Sequence, residues 1–261
     1  MAEDKKRDKP PKLPRAYSMK DLSNIVYQVF LFLGEWRTVF GEPEIGATWF
    51  IWGESGNGKS TACAKLASMF TQFGKVLYLA LEEKKGKSIR MKLREAGITD
   101  KSKNFQLLPR SSYQELIQRL HRKGSADIIF IDSLQYWGIT YKQYQELIEI
   151  FPNKTFIFVS HAKGKSPKGS VADSIQYDAA IKIFVEGGMM QVKHRFEGGG
   201  GSMIVIPELA ERYWNKTNTT NGTQNHSLEI AMTFIKKNRL QSFFRNYLEE
   251  NNLDANQFFK E

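Results

Sequence analysis

Residues 48–60 of the chain read TWFIWGESGNGKS and hold the pattern that decides the fold. The first five residues are apolar and β-prone, which predicts a buried strand over Thr48–Trp52. The next eight, GESGNGKS, match G-x-x-x-x-G-K-[ST] at every position, and a helical pattern begins within them, at about residue 59. A strand, a glycine-rich loop and a helix in this order predict a loop that binds the phosphates of a nucleotide.

The chemistry of phosphate binding explains the residue types of this loop. Glycines allow the backbone to curl so that successive N–H groups point inward at phosphate oxygens, and the helix N-terminus adds partial positive charge. We expect Lys59 to reach the β- and γ-phosphates of ATP and the Ser60 hydroxyl to bind Mg²⁺. The predicted nucleotide-binding residues are Gly53, Glu54, Ser55, Gly56, Asn57, Gly58, Lys59, Ser60 and Thr61.

Beyond the loop, apolar strands alternate with helical patterns, which predicts a mainly parallel sheet covered by helices on both faces. The predicted helices cover about 59–72, 86–96, 112–122 and 141–150. The predicted strands are Lys75–Leu81, Phe105–Leu108, Asp127–Ile131 and Thr155–Ser160. After residue 179 the rhythm changes to three short strands split by glycines, which predicts an antiparallel β-meander added to the sheet. These strands are Ala180–Glu186, Met189–Arg195 and Met203–Pro207.

Composition shifts divide the chain into five predicted segments. The N-terminal arm is basic and proline-rich, contains no apolar signal core, and is expected to be disordered. A helix is expected over 19–33, and a polar stretch is expected to link the core to a small helical appendage. The predicted segments are the arm 1–16, an N-terminal helical segment 17–47, the core 48–214, the linker 215–227 and the appendage 228–261.

The overall composition restricts the class of protein. Hydrophobic residues make up 41% and charged residues 25% of the 261 residues, which excludes collagen-like and wholly disordered chains. One cysteine, Cys63, cannot form an internal disulfide, and no apolar run is long enough to span a membrane, so we expect a cytoplasmic protein. The net charge of +10 suggests a polyanionic partner, although many soluble proteins are this basic without one.

Two acidic strand ends are candidates for the chemistry of a bound nucleotide. The apolar strand of DIIFID (127–132) ends in Asp132, which we expect to hold Mg²⁺ together with Ser60. The next residue is Ser133, whereas AAA+ and ABC enzymes place a hydrolytic Glu there. The strand after the loop helix instead ends in Glu82 and Glu83, where a carboxylate would face the γ-phosphate and activate water. The alternative for this pair is a solvated acidic turn.

From about residue 48 to 207 the sequence resembles the RecA-like ATPases, the group of RecA, RadA, KaiC and the DnaB-type helicase cores. The segments LYLALEE, IIFIDS and FIFVSH carry the resemblance. It implies that Glu82 is the catalytic base, with Glu83 as its neighbour. It also implies that His161 senses the γ-phosphate, at a position where the family often has Gln. In size and in its short meander the chain is most similar to small RecA-core proteins of phages and mobile elements.

The segment VKHRF (192–196) resembles the K-N-R-F-G segment of RadA- and KaiC-type proteins, with His194 in place of Asn and Glu197 in place of Gly. The resemblance implies that Lys193 and Arg195 contact the ATP of a neighbouring subunit. It therefore implies a homo-oligomer, either a hexameric ring or a filament.

Two basic stretches are candidate contacts for a polyanion. Residues 161–170, HAKGKSPKGS, contain Lys163, Lys165 and Lys168 with two glycines and no acid. We expect a flexible cationic loop that binds DNA, since the loop at this place in RecA-like proteins lines the DNA channel. Residues 84–103 are also rich in Lys and Arg, but a solvated helix face explains them as well.

These observations predict an α/β, RecA-like P-loop ATPase. The expected activity is Mg²⁺-dependent ATP hydrolysis coupled to single-stranded DNA, in phage or mobile-element replication or recombination. One alternative is an ATP-gated annealing module or a KaiC-like signalling or defence ATPase. The other is a helicase loader or transposition ATPase of the AAA+ type, against which Ser133 and the meander argue.

Overall fold

The computed structural model describes residues 15–196 and 200–220, and strands alternate with helices through most of this region. The strands are β1 (Trp49–Gly53), β2 (Val76–Ala80), β3 (Phe105–Leu108), β4 (Ile128–Asp132), β5 (Thr155–Lys163), β6 (Ser166–Pro167), β7 (Ile181–Glu186), β8 (Met189–His194) and β9 (Gly201–Ile204). The helices are α1 (Met19–Ser23), α2 (Gly34–Phe40), α3 (Lys59–Phe70), α4 (Lys87–Glu95), α5 (Tyr113–Leu120), α6 (Leu134–Trp137), α7 (Tyr141–Ile150), α8 (Ser170–Asp178) and α9 (Pro207–Thr220).

The strands form one sheet in the order β3-β2-β4-β5-β1-β7-β8-β9, with β6 paired to the end of β5. The first six of these strands are parallel, and β8 and β9 complete an antiparallel meander with β7. The mainly parallel sheet and its meander are therefore confirmed. Parallel pairing gives the sheet two distinct edges. We call the edge where β1, β2 and β4 end the carboxyl edge, and the edge where they begin the amino edge.

Buried side chains form a core on each face of the sheet, because successive residues of a strand point to opposite sides. Trp49 and Ile51 of β1 pack in the core that α2, α3 and α4 cover. Phe50 and Trp52 pack in the core on the opposite face, with side chains from α5, α6, α7 and α8. A strand that is buried on both faces is apolar along its whole length, which explains the continuous run TWFIW.

The helix predicted over 19–33 is wrong, because α1 ends at Ser23 and the next helix, α2, begins only at Gly34. The reason lies in the pattern of the FLFL segment, residues 30–33. Phe30 and Phe32 are buried whereas Leu31 and Leu33 are exposed, which is the two-residue alternation of extended chain. Stacking of the two phenylalanine rings and their edge contacts with the aromatic core outweigh the helical spacing of the apolar residues.

Several other features differ from the sequence prediction or extend it. Helices α6 and α8 lie in segments to which no helix was assigned, and β5 continues past Ser160 to Lys163. Helix α9 covers residues 215–220 of the predicted linker. The rest of that linker, the appendage 228–261 and residues 1–14 of the predicted arm lie outside the described residues. In the described part of the chain, no helix has both the length and the apolar character needed to cross a membrane.

Adjacent substitutions test the extended conformation of residues 30–33. We expect Phe32→Ala to lower the free energy of unfolding by about 3–5 kcal/mol, because it removes a ring that is 1% exposed. The matched control, Leu33→Ala, removes a side chain that is 80% exposed and should change this free energy by less than about 0.5 kcal/mol. Denaturant unfolding measures both, and a larger loss for Leu33→Ala would contradict the structure.

Candidate functional site at the carboxyl edge

The loop 53–60 leaves β1 at the carboxyl edge and enters α3. Gly53 is required here because a Cβ atom at this position would lie 2.2 Å from the Val185 carbonyl oxygen of β7. Gly58 caps α3 in a left-handed conformation (φ +95°), and no side chain caps this helix end. In the described part of the chain, the first N–H groups of α3 therefore have no side-chain acceptor, and the N-terminus of the helix remains able to bind an anion.

Hydrogen bonds to two neighbouring segments hold the loop in place. The Asn57 side-chain oxygen accepts from the Gly187 N–H at 2.8 Å, and the Asn57 carbonyl accepts from the Gly188 N–H at 3.1 Å. On the other side, the Glu54 carboxylate accepts from the Gly164 N–H at 2.9 Å. The turn between β7 and β8 and the turn between β5 and β6 therefore fix the loop from both sides.

Neighbouring strand ends place the other predicted residues beside this loop. In the strand order β2-β4-β5-β1, Glu82 follows β2, Asp132 ends β4, and His161 of β5 pairs with Gly53 of β1. Lys59 begins α3, and its ammonium group lies 3.5 Å from the Glu54 carbonyl oxygen. The structure thus gathers the predicted phosphate, metal, base and sensor residues at one edge of the sheet.

Asp132 is buried at the end of β4 and accepts a hydrogen bond of 2.6 Å from the Tyr78 hydroxyl. Burial raises the pKa of this carboxyl group, and the hydrogen bond from Tyr78 and the charge of Lys59 oppose that rise. The Tyr78 hydroxyl therefore fixes one carboxylate oxygen of Asp132. This arrangement resembles the support that carboxylate ligands of metals receive from their neighbours.

Glu82 and His161, the predicted base and the predicted sensor, contact each other directly. The distance from His161 Nε2 to the Glu82 carboxylate is 2.9 Å, and the Ser133 hydroxyl lies 3.4 Å from the same nitrogen. The backbone N–H of His161 donates to the Gln135 side chain at 3.1 Å. The Glu82 side chain is 41% exposed, so it is open to water while the imidazole ring orients it.

Glu83 has a different environment from Glu82. Its carboxylate forms a half-buried ion pair of 2.8 Å with Lys92 of α4, and its second oxygen is buried with no hydrogen bond of good geometry from a described residue. Burial is the largest single influence and would raise the pKa of Glu83, but the charge and hydrogen bond of Lys92 and the polar side chains of Ser88 and Ser60 together outweigh it, so the pKa is lowered. Of the two carboxylates, Glu82 is the more accessible to a water molecule.

The predicted flexible loop at 161–170 is instead a β-hairpin, which corrects that expectation. Strand β5 pairs antiparallel with β6 through Ala162↔Pro167 and Lys163↔Ser166. The indole N–H of Trp52 donates to the Lys165 carbonyl at 2.9 Å, and the Gly164 N–H donates to Glu54. We call residues 162–168 the cationic hairpin. Its three lysines, Lys163, Lys165 and Lys168, are all exposed.

Lys193 and Arg195 do not join this site within one chain. Strand β8 runs antiparallel to β7, and Lys193 pairs with Lys182 close to the amino edge. The Arg195 guanidinium donates to the Tyr177 carbonyl at 3.1 Å, also near the start of β7. Both side chains are exposed, at the edge of the sheet opposite to the loop 53–60.

The oxygen atoms at the carboxyl edge fit a magnesium ion that takes most of its ligands from phosphates and water. Among the residues that the structure describes, no three His, Cys, Asp or Glu side chains converge as a metal site. Mg²⁺ at phosphates commonly keeps several waters and takes only one or two protein oxygens. Ser60 and Asp132 are the candidate ligands, and the unbonded oxygen of Glu83 adds a nearby acceptor.

Sequence analysis missed two residues that support the site, Tyr78 and Gln135. Tyr78 lies in the middle of the apolar strand KVLYLAL, and a buried tyrosine hydroxyl usually has a polar partner, so its position was a usable signal. Gln135 gave no such signal, because its contacts with Ser160, His161 and the Lys168 carbonyl depend on α6, which was not predicted.

A conservative substitution tests the support of Asp132. We expect Tyr78→Phe to lower the free energy of unfolding by about 1–3 kcal/mol, because it leaves a buried carboxylate without its hydrogen-bond donor. The control, Tyr136→Phe, removes a hydroxyl from a side chain that is 58% exposed and should leave this free energy unchanged. Denaturant unfolding distinguishes the two. An equal effect of both substitutions would show that the hydrogen bond from Tyr78 to Asp132 does not stabilise the folded chain.

No family model matches this chain, and no curated protein matches it. Function is therefore inferred from the residues that the fold brings together.

Proposed function

We propose that the chain is a Mg²⁺-dependent ATPase of the RecA-like class that acts on DNA. The observation that carries this proposal is the gathering of four groups on four adjacent parallel strands. Lys59 with its loop, Asp132, Glu82 and His161 all lie at the carboxyl edge. Ligands of parallel α/β sheets bind at this edge, outside the carboxyl ends of the strands.

ATP would bind with its phosphates against the loop 53–60. The uncapped N-terminus of α3 and the Lys59 ammonium supply positive charge, and the contacts of Asn57 with the β7–β8 turn hold the loop in shape. Ser60 and Asp132 would hold Mg²⁺, which neutralises charge on the phosphate oxygens. The Tyr78 hydroxyl keeps Asp132 oriented for this role.

Glu82 is the proposed general base for the attacking water. It is half exposed, it lies beside the loop, and His161 holds its carboxylate at 2.9 Å. Glu83 is less suited to accept a proton because it is committed to Lys92. In this proposal the His161 Nε2–H, which faces Glu82 in the structure, donates instead to the γ-phosphate when ATP is bound, and this exchange links the base to the state of the nucleotide.

Single-stranded DNA is the proposed partner of the cationic hairpin. His161 and Lys163 lie two residues apart on β5, and Glu54 of the nucleotide loop contacts Gly164, so the hairpin is joined to the nucleotide site by covalent and hydrogen bonds. Its three lysines can contact phosphates. Tyr136, which is exposed and lies 6.1 Å from the His161 ring, offers an aromatic face for a base.

Assembly into a ring or filament follows from the same proposal. Lys193 and Arg195 lie far from the nucleotide loop of their own chain and are exposed, so only a second copy could bring them to an ATP molecule. A homo-oligomer would place the amino edge of one subunit near the carboxyl edge of the next. Each ATP would then contact residues of two subunits.

Phage or mobile-element DNA replication or recombination is the proposed setting, by resemblance to small RecA-core proteins. An annealing module or a KaiC-like signalling or defence ATPase would use the same nucleotide site, and stimulation of ATP turnover by single-stranded DNA distinguishes these alternatives. An AAA+ loader has less support, because the residue after Asp132 is the buried Ser133 and not a carboxylate.

Paired isosteric substitutions test the base. We expect Glu82→Gln to reduce ATP hydrolysis by at least about 100-fold, because a carboxamide cannot accept the proton of the attacking water. Binding of ATP should persist in this variant. Glu83→Gln keeps Glu82 intact and is expected to retain most of the turnover. Steady-state hydrolysis and equilibrium nucleotide binding measure the two effects, and the reverse ranking would transfer the role to Glu83.

A triple substitution tests the cationic hairpin. Replacement of Lys163, Lys165 and Lys168 by Ala should lower the log–log salt slope of single-stranded DNA binding by about 2, since each phosphate contact releases about 0.7 counterion. Basal ATP turnover should remain because the nucleotide loop is unchanged, whereas stimulation by DNA should disappear. An unchanged slope together with retained stimulation would show that the hairpin lysines are only solvated.

A further inference from the structure

A cavity of about 220 Å³ lies at the amino edge, which is the edge of the sheet opposite to the loop 53–60. It opens between the first residues of β2, the first residues of β3 and the segment that joins α5 to β4. We call it the amino-edge cavity. Five cationic side chains line it: Lys75, Lys103, Arg119, Arg122 and Lys123.

Carboxylates offset the charge of this cavity only in part, through Asp127 beside Lys75 and Glu115 near Arg119. No acidic residue lines the cavity, and none of its five cations forms an ion pair with a described residue. The Lys75 ammonium donates to the Gly124 carbonyl at 2.9 Å, and nearby Asp127 accepts from the Lys75 backbone N–H. The other four cationic side chains are exposed and have no hydrogen-bond partner among the described residues.

Local structure explains only part of this cluster. Arg119 lies in the last turn of α5, and Arg122 and Lys123 follow the end of the helix, where cations are favourable beside unpaired carbonyls. Lys75 and Lys103 come from two other segments and face the same cavity. The gathering of like charges from three segments disfavours folding through mutual repulsion. An anionic ligand would offset this repulsion.

We infer that the amino-edge cavity binds the phosphate backbone of duplex DNA. Lysine and arginine side chains hold phosphates without reading the sequence of bases. Among the residues that the structure describes, no aromatic side chain lines the cavity, so these residues offer no platform on which the unpaired bases of a single strand would stack. In a duplex the bases are already stacked and paired, and only the phosphates need partners.

This binding is independent of ATP. Strand β2, Val76–Ala80, separates the cavity from the carboxyl edge by about 13 Å at 3.3 Å per residue. None of the residues that line the cavity belongs to the loop 53–60 or to the cationic hairpin. The inference therefore goes beyond the proposed function, because it gives the chain a second nucleic-acid surface with a different strand preference.

The test compares two triple variants of the full chain that remove the same charge. One replaces Arg119, Arg122 and Lys123 with Gln at the cavity. The control replaces Lys20, Lys142 and Arg212 with Gln, three exposed cations that do not line it. Fluorescence anisotropy of a labelled 24-base-pair DNA, measured without nucleotide over a range of salt, gives affinity and salt slope.

The cavity variant should bind the duplex at least about tenfold more weakly near 0.1 M salt, and its salt slope should fall by about 2.7, or 0.9 for each phosphate contact. The control should keep the wild-type slope, and thermal unfolding should show that both variants are folded. Equal losses in both variants would overturn the inference, since net charge alone would then explain binding. If the cavity variant instead loses binding to anionic lipid vesicles and keeps its affinity for the duplex, the inference is overturned as well, because the cavity would then bind lipid phosphates. Because no nucleotide is present, this result is independent of whether the proposed ATPase site is correct.

Discussion

Parallel pairing of β2, β4, β5 and β1 is the constraint on which the rest of the molecule depends. The register aligns Ala80 with Asp132 and Gly53 with His161, so each strand ends at the same edge. Residues that are far apart in the chain thereby become neighbours, as the contact between Glu82 and His161 demonstrates. Burial of these strands on both faces fixes the register, since a slip of one residue would exchange the two cores.

The same pairing connects the candidate nucleotide site to surfaces outside it. Strand β5 begins in the core, carries His161 at the site and continues into the cationic hairpin, so one strand connects all three. Glu54 adds a second link, because it belongs to the loop 53–60 and accepts a hydrogen bond from the hairpin turn. In the proposed function, a change of nucleotide at the loop 53–60 thus has a short physical route to the proposed DNA contacts.

Much of this arrangement could be predicted from the sequence because its signals are local. The motif GESGNGKS, the apolar strands and the acids at their ends all depend on near neighbours. The remainder depends on distant contacts. Phe30 and Phe32 are extended because the core receives both rings, and the hairpin is ordered by the Trp52 indole and by Glu54. The amino-edge cavity likewise combines cations from three separate segments, which no local pattern reveals.

Equilibrium binding of Mg²⁺-ATP to the wild-type chain and to Lys59→Ala tests the central claim most directly. Titration calorimetry gives the affinity, and thermal unfolding without nucleotide checks that the variant is folded. The account predicts saturable binding by the wild-type chain and about 10- to 150-fold weaker binding by Lys59→Ala, the loss of one charged hydrogen bond of about 1.5–3 kcal/mol. Equal affinity of the two folded proteins, or no binding by either, would contradict a nucleotide site at the carboxyl edge.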